Sequence, residues 1–159
     1  FINDFKNQDR IIIGGDREVL DKLHEIYQII FTDAKIILTD SKTAEMVKYL
    51  SNAFLATKVS FANEFKMLCD ELNINYNKVV EYSTYDKRLG NSHWKVPGPD
   101  GKLGFGGSCF PKDINALISF SDSNNIDLNV IKAAWKTNLK VRPEKDWENL
   151  IGRAVTKEN

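Results

Sequence analysis

One long helical pattern constrains this chain of 159 residues more than any other feature. From Ser41 to about Leu72 there is neither Gly nor Pro, and apolar residues recur at helical spacing. A helix of this length reaches roughly 45 Å at about 1.5 Å per residue, which exceeds the width of a small domain. Its apolar faces must therefore be buried by more than its own short chain, and a second copy is the economical partner. The sequence thus predicts a homodimer that forms through the long helix.

The residues before the long helix predict a single βαβ unit. Residues 10–14 and 35–38 are short apolar runs of the kind that form buried strands. Between them apolar residues follow helical spacing, and Asp16 is placed to cap that helix, as Ser41 is placed to cap the long one. We expect parallel strands with a right-handed crossover. Because one unit cannot cover a parallel sheet on both faces, we also expect more chain upstream.

Shorter helices are predicted after the long one, over residues 76–82, 111–121 and 129–141. The predicted fold is mostly α with a small α/β part. A C-terminal βαβ remnant of a larger domain is followed by an all-helical domain built on one long helix. The expected bounds are 1–40 for the remnant, 41–145 for the helical domain and 146–159 for a C-terminal tail.

Composition excludes several classes of protein. The 22 basic and 22 acidic residues cancel, so no net field attracts nucleic acid. The apolar runs are too short to span a bilayer. We therefore expect neither a nucleic-acid partner nor a membrane partner, and we expect a cytoplasmic location. Two cysteines and two histidines supply neither a disulfide framework nor a convincing metal site, so we expect no metal.

A polar stripe marks the long helix, where Glu45, Lys48 and Asn52 follow one another at spacings of three and four. Alone, such a stripe is most often a solvated surface with one Glu–Lys pair. Asn52, however, lies among apolar neighbours and is a poor helix former. This placement indicates a hydrogen-bonding role for its amide.

A glycine-rich segment is the second candidate, since six of the nine glycines lie between Gly90 and Gly107. It leads into Ser-Cys-Phe-Pro-Lys-Asp at 108–113, where Pro111 fits the first turn of a helix. Cys109 is thus predicted just before a helix N-terminus, whose dipole favours negative charge, with Asp113 one turn on. A buried cysteine with a capping aspartate is the plain alternative. Together the features suit a covalent nucleophile.

Arg88, in the string Asp-Lys-Arg-Leu-Gly at 86–90, is the third candidate. A guanidinium at this position suits bidentate contact with phosphate or carboxylate, although a single arginine is more often merely solvated. His93 has no partner at metal-ligand spacing, so we do not interpret it as a metal ligand. The large side chains within the glycine-rich segment argue against a plain flexible linker.

Residues 44–64, 86–90 and 104–113, in this order, resemble the UDP-glucose/GDP-mannose dehydrogenase family, and the resemblance extends over nearly the whole chain. The family oxidises the C6 alcohol of a nucleotide sugar to a carboxylate with NAD as cofactor. Phe110 to Asp113 is similar to the branch that converts UDP-glucose to UDP-glucuronate. GDP-mannose 6-dehydrogenases are similar here as well and stay an alternative, whereas the UDP-N-acetylhexosamine branch is disfavoured.

The resemblance implies a role for each candidate residue. Cys109 is the nucleophile that forms a thiohemiacetal and then a thioester, Lys48 and Asn52 stabilise charge on the substrate oxygen, and Asp113 orients or deprotonates water. Arg88 reaches the substrate of a neighbouring subunit. The implied substrate-binding residues are Lys48, Asn52, Arg88, His93, Lys95, Phe105 and Gly106. The nicotinamide approaches Cys109 and Lys112.

The chain lacks the Gly-x-Gly-x-x-Gly motif that holds a dinucleotide pyrophosphate. By resemblance it is the end of an NAD-binding Rossmann domain followed by the helical middle domain, and we expect it to be inactive alone. A non-catalytic dimerisation or nucleotide-sugar-binding module is the competing hypothesis. The presence together of Lys48, Asn52, Cys109 and Asp113 favours the enzyme, since a decayed module would lose them independently.

Overall fold

The computed structural model describes residues 8–154. The chain divides into two units, residues 1–50 and 51–159, and one helix runs from the first into the second. The first seven residues of the expected Rossmann remnant and the last five of the expected tail lie outside the described residues.

The first unit contains the predicted βαβ arrangement. Strand β1 (Arg10–Gly14) is followed by helix α1 (Arg17–Ile30) and strand β2 (Lys35–Thr39). The two strands pair in parallel, with Ile12 opposite Ile37, which confirms the prediction. Asp16 occupies the N-cap position of α1, but its side chain forms no capping hydrogen bond; only its carbonyl accepts from the first turn. The expected side-chain cap is therefore wrong.

Helix α2 (Ser41–Glu71) confirms the predicted long helix within one residue of its expected end. The cap differs from the prediction, because Ser41 is the first helical residue and Asp40 caps the helix. The Asp40 carboxylate accepts hydrogen bonds from the Thr43 backbone N–H at 3.0 Å and the Thr43 hydroxyl at 2.6 Å. These two bonds lower the pKa of Asp40.

The second unit continues along α2 and adds helices α3 (Tyr76–Ser83), α4 (Cys109–Ser123) and α5 (Asn129–Val141). Two 3₁₀ turns, Lys87–Leu89 and Asp146–Asn149, complete it. Helix α4 begins two residues earlier than expected, so Cys109 is the first residue of the helix and not the residue before it. None of the helices in residues 8–154 combines the length and the apolar character that crossing a membrane requires.

Two buried clusters hold the second unit together. Ala53, Ala56, Phe105 and Ile114 form the first, and Trp135 packs against it. The second joins Ala62 and Cys69 of α2 to Tyr76 of α3 and Val96 of the glycine-rich segment. Both clusters therefore fasten that segment to α2, which sets the position of the residues around Cys109.

Arg142, directly after α5, is a buried cation with two carboxylate partners, and only 2% of its side chain is exposed. It donates to Asp146 at 2.7 and 2.8 Å and to Asp100 at 2.8 Å. The hydrogen bonds from Arg142 are the main cause that lowers the pKa of Asp146 to about 2. Because this folded-state pKa lies below the ordinary value, the carboxylate stabilises the fold above pH 4 and loses that contribution as the pH falls toward 2.

We predict that Asp146→Asn lowers the free energy of unfolding by about 2 kcal/mol at pH 7, because it removes the charged partner of a buried guanidinium. At pH 2 the difference in unfolding free energy between Asp146→Asn and the unsubstituted chain should fall to well under half of its value at pH 7. Urea unfolding at pH 7, 4 and 2 measures both values. Asp127→Asn is the control, since exposed Asp127 pairs with Lys132 at 2.9 Å on the surface, and it should cost at most about 0.5 kcal/mol. If the loss of unfolding free energy in Asp146→Asn stays the same from pH 7 to pH 2, Asp146 is not the charged partner that stabilises Arg142.

Candidate active site

A hydrogen bond between Asn52 of α2 and Asp113 of α4 is the centre of the candidate site. The Asn52 amide donates to the Asp113 carboxylate at 2.6 Å, across 61 positions of sequence. The Asp113 side chain is only 2% exposed, and its second oxygen accepts from the Lys112 ammonium at 2.8 Å. A buried carboxylate needs such partners, so the amide and the ammonium together fix its orientation. The Asn52 amide thus forms a hydrogen bond, as the sequence pattern indicated, and its catalytic role stays a prediction.

Cys109 lies one helical turn before Asp113 and is exposed, with Ser108 as the N-cap residue. The Ser108 hydroxyl oxygen is 4.0 Å from the Cys109 sulfur. The first turn of a helix presents unpaired backbone N–H groups and the positive end of the dipole, both of which favour an anion there. An accessible thiol at such a position can attack an electrophilic carbon. The other cysteine, Cys69, is buried in the core as expected.

Lys48 belongs to the first unit, on the exposed side of α2. Its ammonium lies 5.5 Å from the centre of the Tyr49 ring. Its approach to Asn52 and Asp113 stays a prediction, as does that of Glu45.

Four predicted substrate-binding residues line one cavity of about 490 Å³ in the second unit: His93, Lys95, Phe105 and Gly106. Its walls also include Val59 of α2 and Phe110 of α4. Its lining includes the polar or charged residues His93, Lys95 and Asp100 and the apolar residues Phe105 and Phe110. The centre of the His93 ring lies 5.9 Å from that of the Phe110 ring, with the two planes tilted by 46°. Burial, followed by the nearby Lys58 charge, lowers the pKa of His93.

Three buried polar side chains that the sequence analysis missed hold the wall of this cavity. Asn138 both accepts from the Phe105 N–H at 2.7 Å and donates to its carbonyl at 3.0 Å. Asn63 accepts from the Gly104 N–H at 3.1 Å. A Cβ on Gly106 would lie 2.3 Å from the Arg142 guanidinium, so only glycine fits against this buried cation. For Asn63 and Asn138 the sequence did carry a signal, an amide among apolar residues of a helix, which is the same argument that identified Asn52.

Arg88 lies apart from these groups, on the first 3₁₀ turn. Its guanidinium is highly exposed and pairs with Asp86 of the same turn at 2.6 Å. Lys58, also missed, donates to the carbonyls of Leu89 and Gly90 directly after it. The second unit therefore brings together Asn52, Lys112 and Asp113 beside Cys109, and separately groups the cavity residues.

We predict that Asn52→Asp destabilises the chain at pH 7 by about 3 kcal/mol, because two carboxylates would then face each other at the site of the 2.6 Å bond. One of the pair should take up a proton on mild acidification, so the loss should fall markedly at pH 5. Thermal unfolding at both pH values measures this. Asn77→Asp, at an exposed position on α3, should change stability by less than about 0.5 kcal/mol. An equal loss at both pH values would show that charge repulsion is not the cause.

Comparison with known proteins identifies the family to which the chain belongs. Residues 42–140 match the central-domain model of the UDP-glucose/GDP-mannose dehydrogenase family. A UDP-glucose 6-dehydrogenase of Rickettsia felis is 39% identical over 157 residues, covering 98% of this chain and 33% of the relative. One of Bacillus subtilis is 36% identical over 145 residues, covering 89% of this chain and 29% of the relative.

The solved structure of a UDP-glucose dehydrogenase from the archaeon Pyrobaculum islandicum superimposes with a TM-score of 0.79 at 39% identity. The match covers 87% of this chain and 31% of that one, so the chain spans about a third of the length of these relatives. The family match covers well over half of the chain and includes Asn52, Arg88, Cys109 and Asp113. The chain is therefore a member of the UDP-glucose/GDP-mannose dehydrogenase family.

Proposed function

We propose that this chain is the catalytic middle region of a UDP-glucose 6-dehydrogenase, which converts UDP-glucose to UDP-glucuronate. The observation that carries the proposal is the partly buried Asn52–Asp113 hydrogen bond one turn from an exposed Cys109 at the start of α4. This arrangement supplies a nucleophile, an oriented carboxylate and an amide. The similarity to enzymes named UDP-glucose 6-dehydrogenase supports this substrate.

The chemistry assigns one step to each residue. The C6 alcohol first loses a hydride from carbon and the proton of its hydroxyl to give the C6 aldehyde. The Cys109 sulfur adds to that aldehyde, which forms a C–S bond, and the thiol proton passes to the oxygen to give a thiohemiacetal. The thiohemiacetal then loses a hydride from carbon and the proton of its hydroxyl to give a thioester. Asp113 orients or deprotonates the water that attacks the thioester, which breaks the C–S bond and releases the carboxylate and the thiol. Asn52 and Lys48 stabilise the negative charge that develops on the C6 oxygen.

NAD, when bound, accepts the hydrides, but the described residues hold no cradle for it. Gly14 is the last residue of β1, next to where a dinucleotide loop would begin, yet a Cβ there would lie 2.6 Å from Ala44 Cβ and 2.9 Å from Ser41 Cα. The glycine is thus required by the packing of the strand end against the start of α2. Near the thiol, Lys112 is the residue that we assign to the nicotinamide side, as the family resemblance implies.

The cavity beside Phe105 is proposed to hold the nucleotide sugar. A base or sugar ring suits its aromatic and backbone walls, and Lys95 supplies positive charge for a phosphate. GDP-mannose is the alternative substrate of the same reaction, because the described site has no feature that distinguishes the two bases. The cytoplasmic location expected from the sequence stays a prediction.

We predict that the intact protein carrying this chain forms two NADH for each UDP-glucose and that Cys109→Ala forms no UDP-glucuronate, because no thioester can form. Product analysis by mass spectrometry checks both statements, and GDP-mannose is assayed in parallel. Cys69→Ala is the matched control, since this thiol is buried in the core and should retain the product stoichiometry. If Cys109→Ala still forms UDP-glucuronate, the assignment of Cys109 as the nucleophile is wrong. Binding of UDP-glucose with no turnover by the unsubstituted protein would favour the binding-module hypothesis.

We also propose that the long helix pairs with a second copy. Within the second unit, α2 leaves Phe54, Phe61, Phe65 and Leu68 exposed along one side, and Leu72, directly after the helix, continues this stripe of large apolar side chains. Their spacings of seven, four, three and four place them on one helical face. Such a stripe is larger than isolated surface apolar residues and is typical of an interface.

We predict that Phe54→Glu converts a dimer to a monomer at micromolar concentration, because it places a carboxylate in the apolar stripe. Phe54 is 66% exposed in the single chain, and Phe120 of α4 is 61% exposed, so Phe120→Glu is the matched control and should remain dimeric. Light scattering coupled to size-exclusion chromatography measures the masses. A monomeric unsubstituted protein, or equal dissociation by both variants, contradicts this interface.

A further inference from the structure

Lys58 of α2 is a buried ammonium whose described partners are all neutral. Its Nζ donates to the Leu89 carbonyl at 2.8 Å and the Gly90 carbonyl at 3.2 Å. It also lies 4.6 Å from the centre of the Trp94 ring. Within residues 8–154 it forms no ion pair with a carboxylate. We call these four residues the Lys58 clamp.

A cation at this position is costly, since burial disfavours the charged form and lowers the pKa of Lys58. The two carbonyls and the aromatic face offset that cost, because hydrogen bonds from a charged donor are stronger than neutral ones and ring faces attract cations. The ammonium is satisfied only while both carbonyls point toward it. The orientation of the peptide groups at Leu89 and Gly90 is therefore coupled to Lys58.

Further bonds fasten the same segment. The Trp94 indole N–H also donates to the Gly90 carbonyl, at 2.8 Å, so this oxygen accepts from two donors. Tyr76 of α3 donates to the Trp94 carbonyl at 2.7 Å, and burial raises the pKa of Tyr76 to about 12, which keeps this donor protonated. Gly90 has φ +59°, a conformation that suits glycine. The clamp thus fixes the end of the first 3₁₀ turn to α2.

Arg88 is the residue that this turn presents. Its side chain is 89% exposed, and its described partner is Asp86 of the same turn, so no contact to another element places it. The position of the guanidinium is accordingly set by the backbone that carries it. Lys58 holds that backbone through its hydrogen bonds to the carbonyls of Leu89 and Gly90, the two residues after Arg88.

We infer that Lys58 is a positioning residue for Arg88 and that it acts on nucleotide-sugar binding through the Leu89 and Gly90 carbonyls. This inference rests on the proposed function and on the role that the family resemblance implies for Arg88, contact with the substrate of a neighbouring subunit. Lys58 itself need not touch substrate. Its effect should therefore fall on KM rather than on kcat.

The test is Lys58→Met in the intact protein, which keeps the length of the side chain but removes the charge and the donors. KM for UDP-glucose should rise about tenfold while kcat changes less than about twofold, because binding and not chemistry is altered. Lys58→Arg restores a cationic donor and should return KM to within about threefold. Lys66→Met is the control, since Lys66 lies on the same helix and pairs with Asp70 away from the clamp.

A double-substitution cycle separates positioning from general destabilisation. In an Arg88→Ala background, Lys58→Met should raise KM by less than about twofold, because the residue through which it acts is gone. An undiminished tenfold effect in that background, or a parallel fall in kcat, overturns the inference. So does failure of Lys58→Arg to restore KM.

Limited trypsin digestion tests the clamp without any turnover. Cleavage after Lys87 and Arg88 should accelerate several-fold in Lys58→Met but not in Lys66→Met, because a released turn enters the protease more readily. If Lys58→Met is cleaved no faster than the unsubstituted protein, the clamp is wrong, even if the protein oxidises UDP-glucose. If cleavage of Lys58→Met is faster but the unsubstituted protein does not oxidise UDP-glucose, the clamp stands and the proposed function is wrong. Should Lys58→Met fail to fold, Trp94→Phe takes its place, since it removes one donor to the Gly90 carbonyl and retains an aromatic face.

Discussion

Buried and partly buried polar side chains along α2 are the constraint on which the candidate site depends. Lys58 and Asn63 are buried and Asn52 is partly buried, so each must find hydrogen-bond partners where water has little access. Their partners come from three separate stretches of chain: a helix start, the end of a 3₁₀ turn and the glycine-rich segment. One rigid helix thereby sets the positions of segments that have little regular structure of their own.

This arrangement explains why the glycine-rich segment is ordered with so few regular hydrogen bonds. Asn138 satisfies both backbone groups of Phe105, and Asn63 satisfies the N–H of Gly104. The segment can then approach α2 and α5 closely, which the lack of a side chain at Gly106 permits. Side-chain amides here form the hydrogen bonds to backbone N–H and C=O groups that a neighbouring strand forms in a sheet. The cavity wall beside Phe105 is fixed in consequence.

The elements of the fold were predictable because their signals are local. A stretch without Gly or Pro and with helical apolar spacing defined α2, and two β-branched runs around a helix defined the parallel strands. Caps were less predictable: Asp40, not Ser41, caps α2, and Asp16 bonds only through its carbonyl. A cap depends on the backbone angles of one residue, and neighbouring Ser and Asp side chains compete for that position.

The candidate site was predictable where chemistry is carried by side chains close in sequence. Cys109 and Asp113 lie one turn apart on α4, and the poor helix propensity of Asn52 marked it on α2. Lys58, Asn138 and Arg142 were missed because they bind backbone atoms tens of residues away. Any residue offers a carbonyl, so sequence carries no mark of which carbonyl a lysine will find.

The position of Arg88 follows from the same physics. Its guanidinium is exposed and its ion pair lies within its own turn, where solvent screening leaves little stabilisation. The fold nevertheless commits a buried ammonium and an indole N–H to the two carbonyls that follow it. A turn held this firmly beneath an exposed arginine whose ion pair stabilises little is suited to present that arginine outward. If the proposed dimer places Arg88 at the substrate of the second copy, pairing along α2 and completion of the site become one requirement.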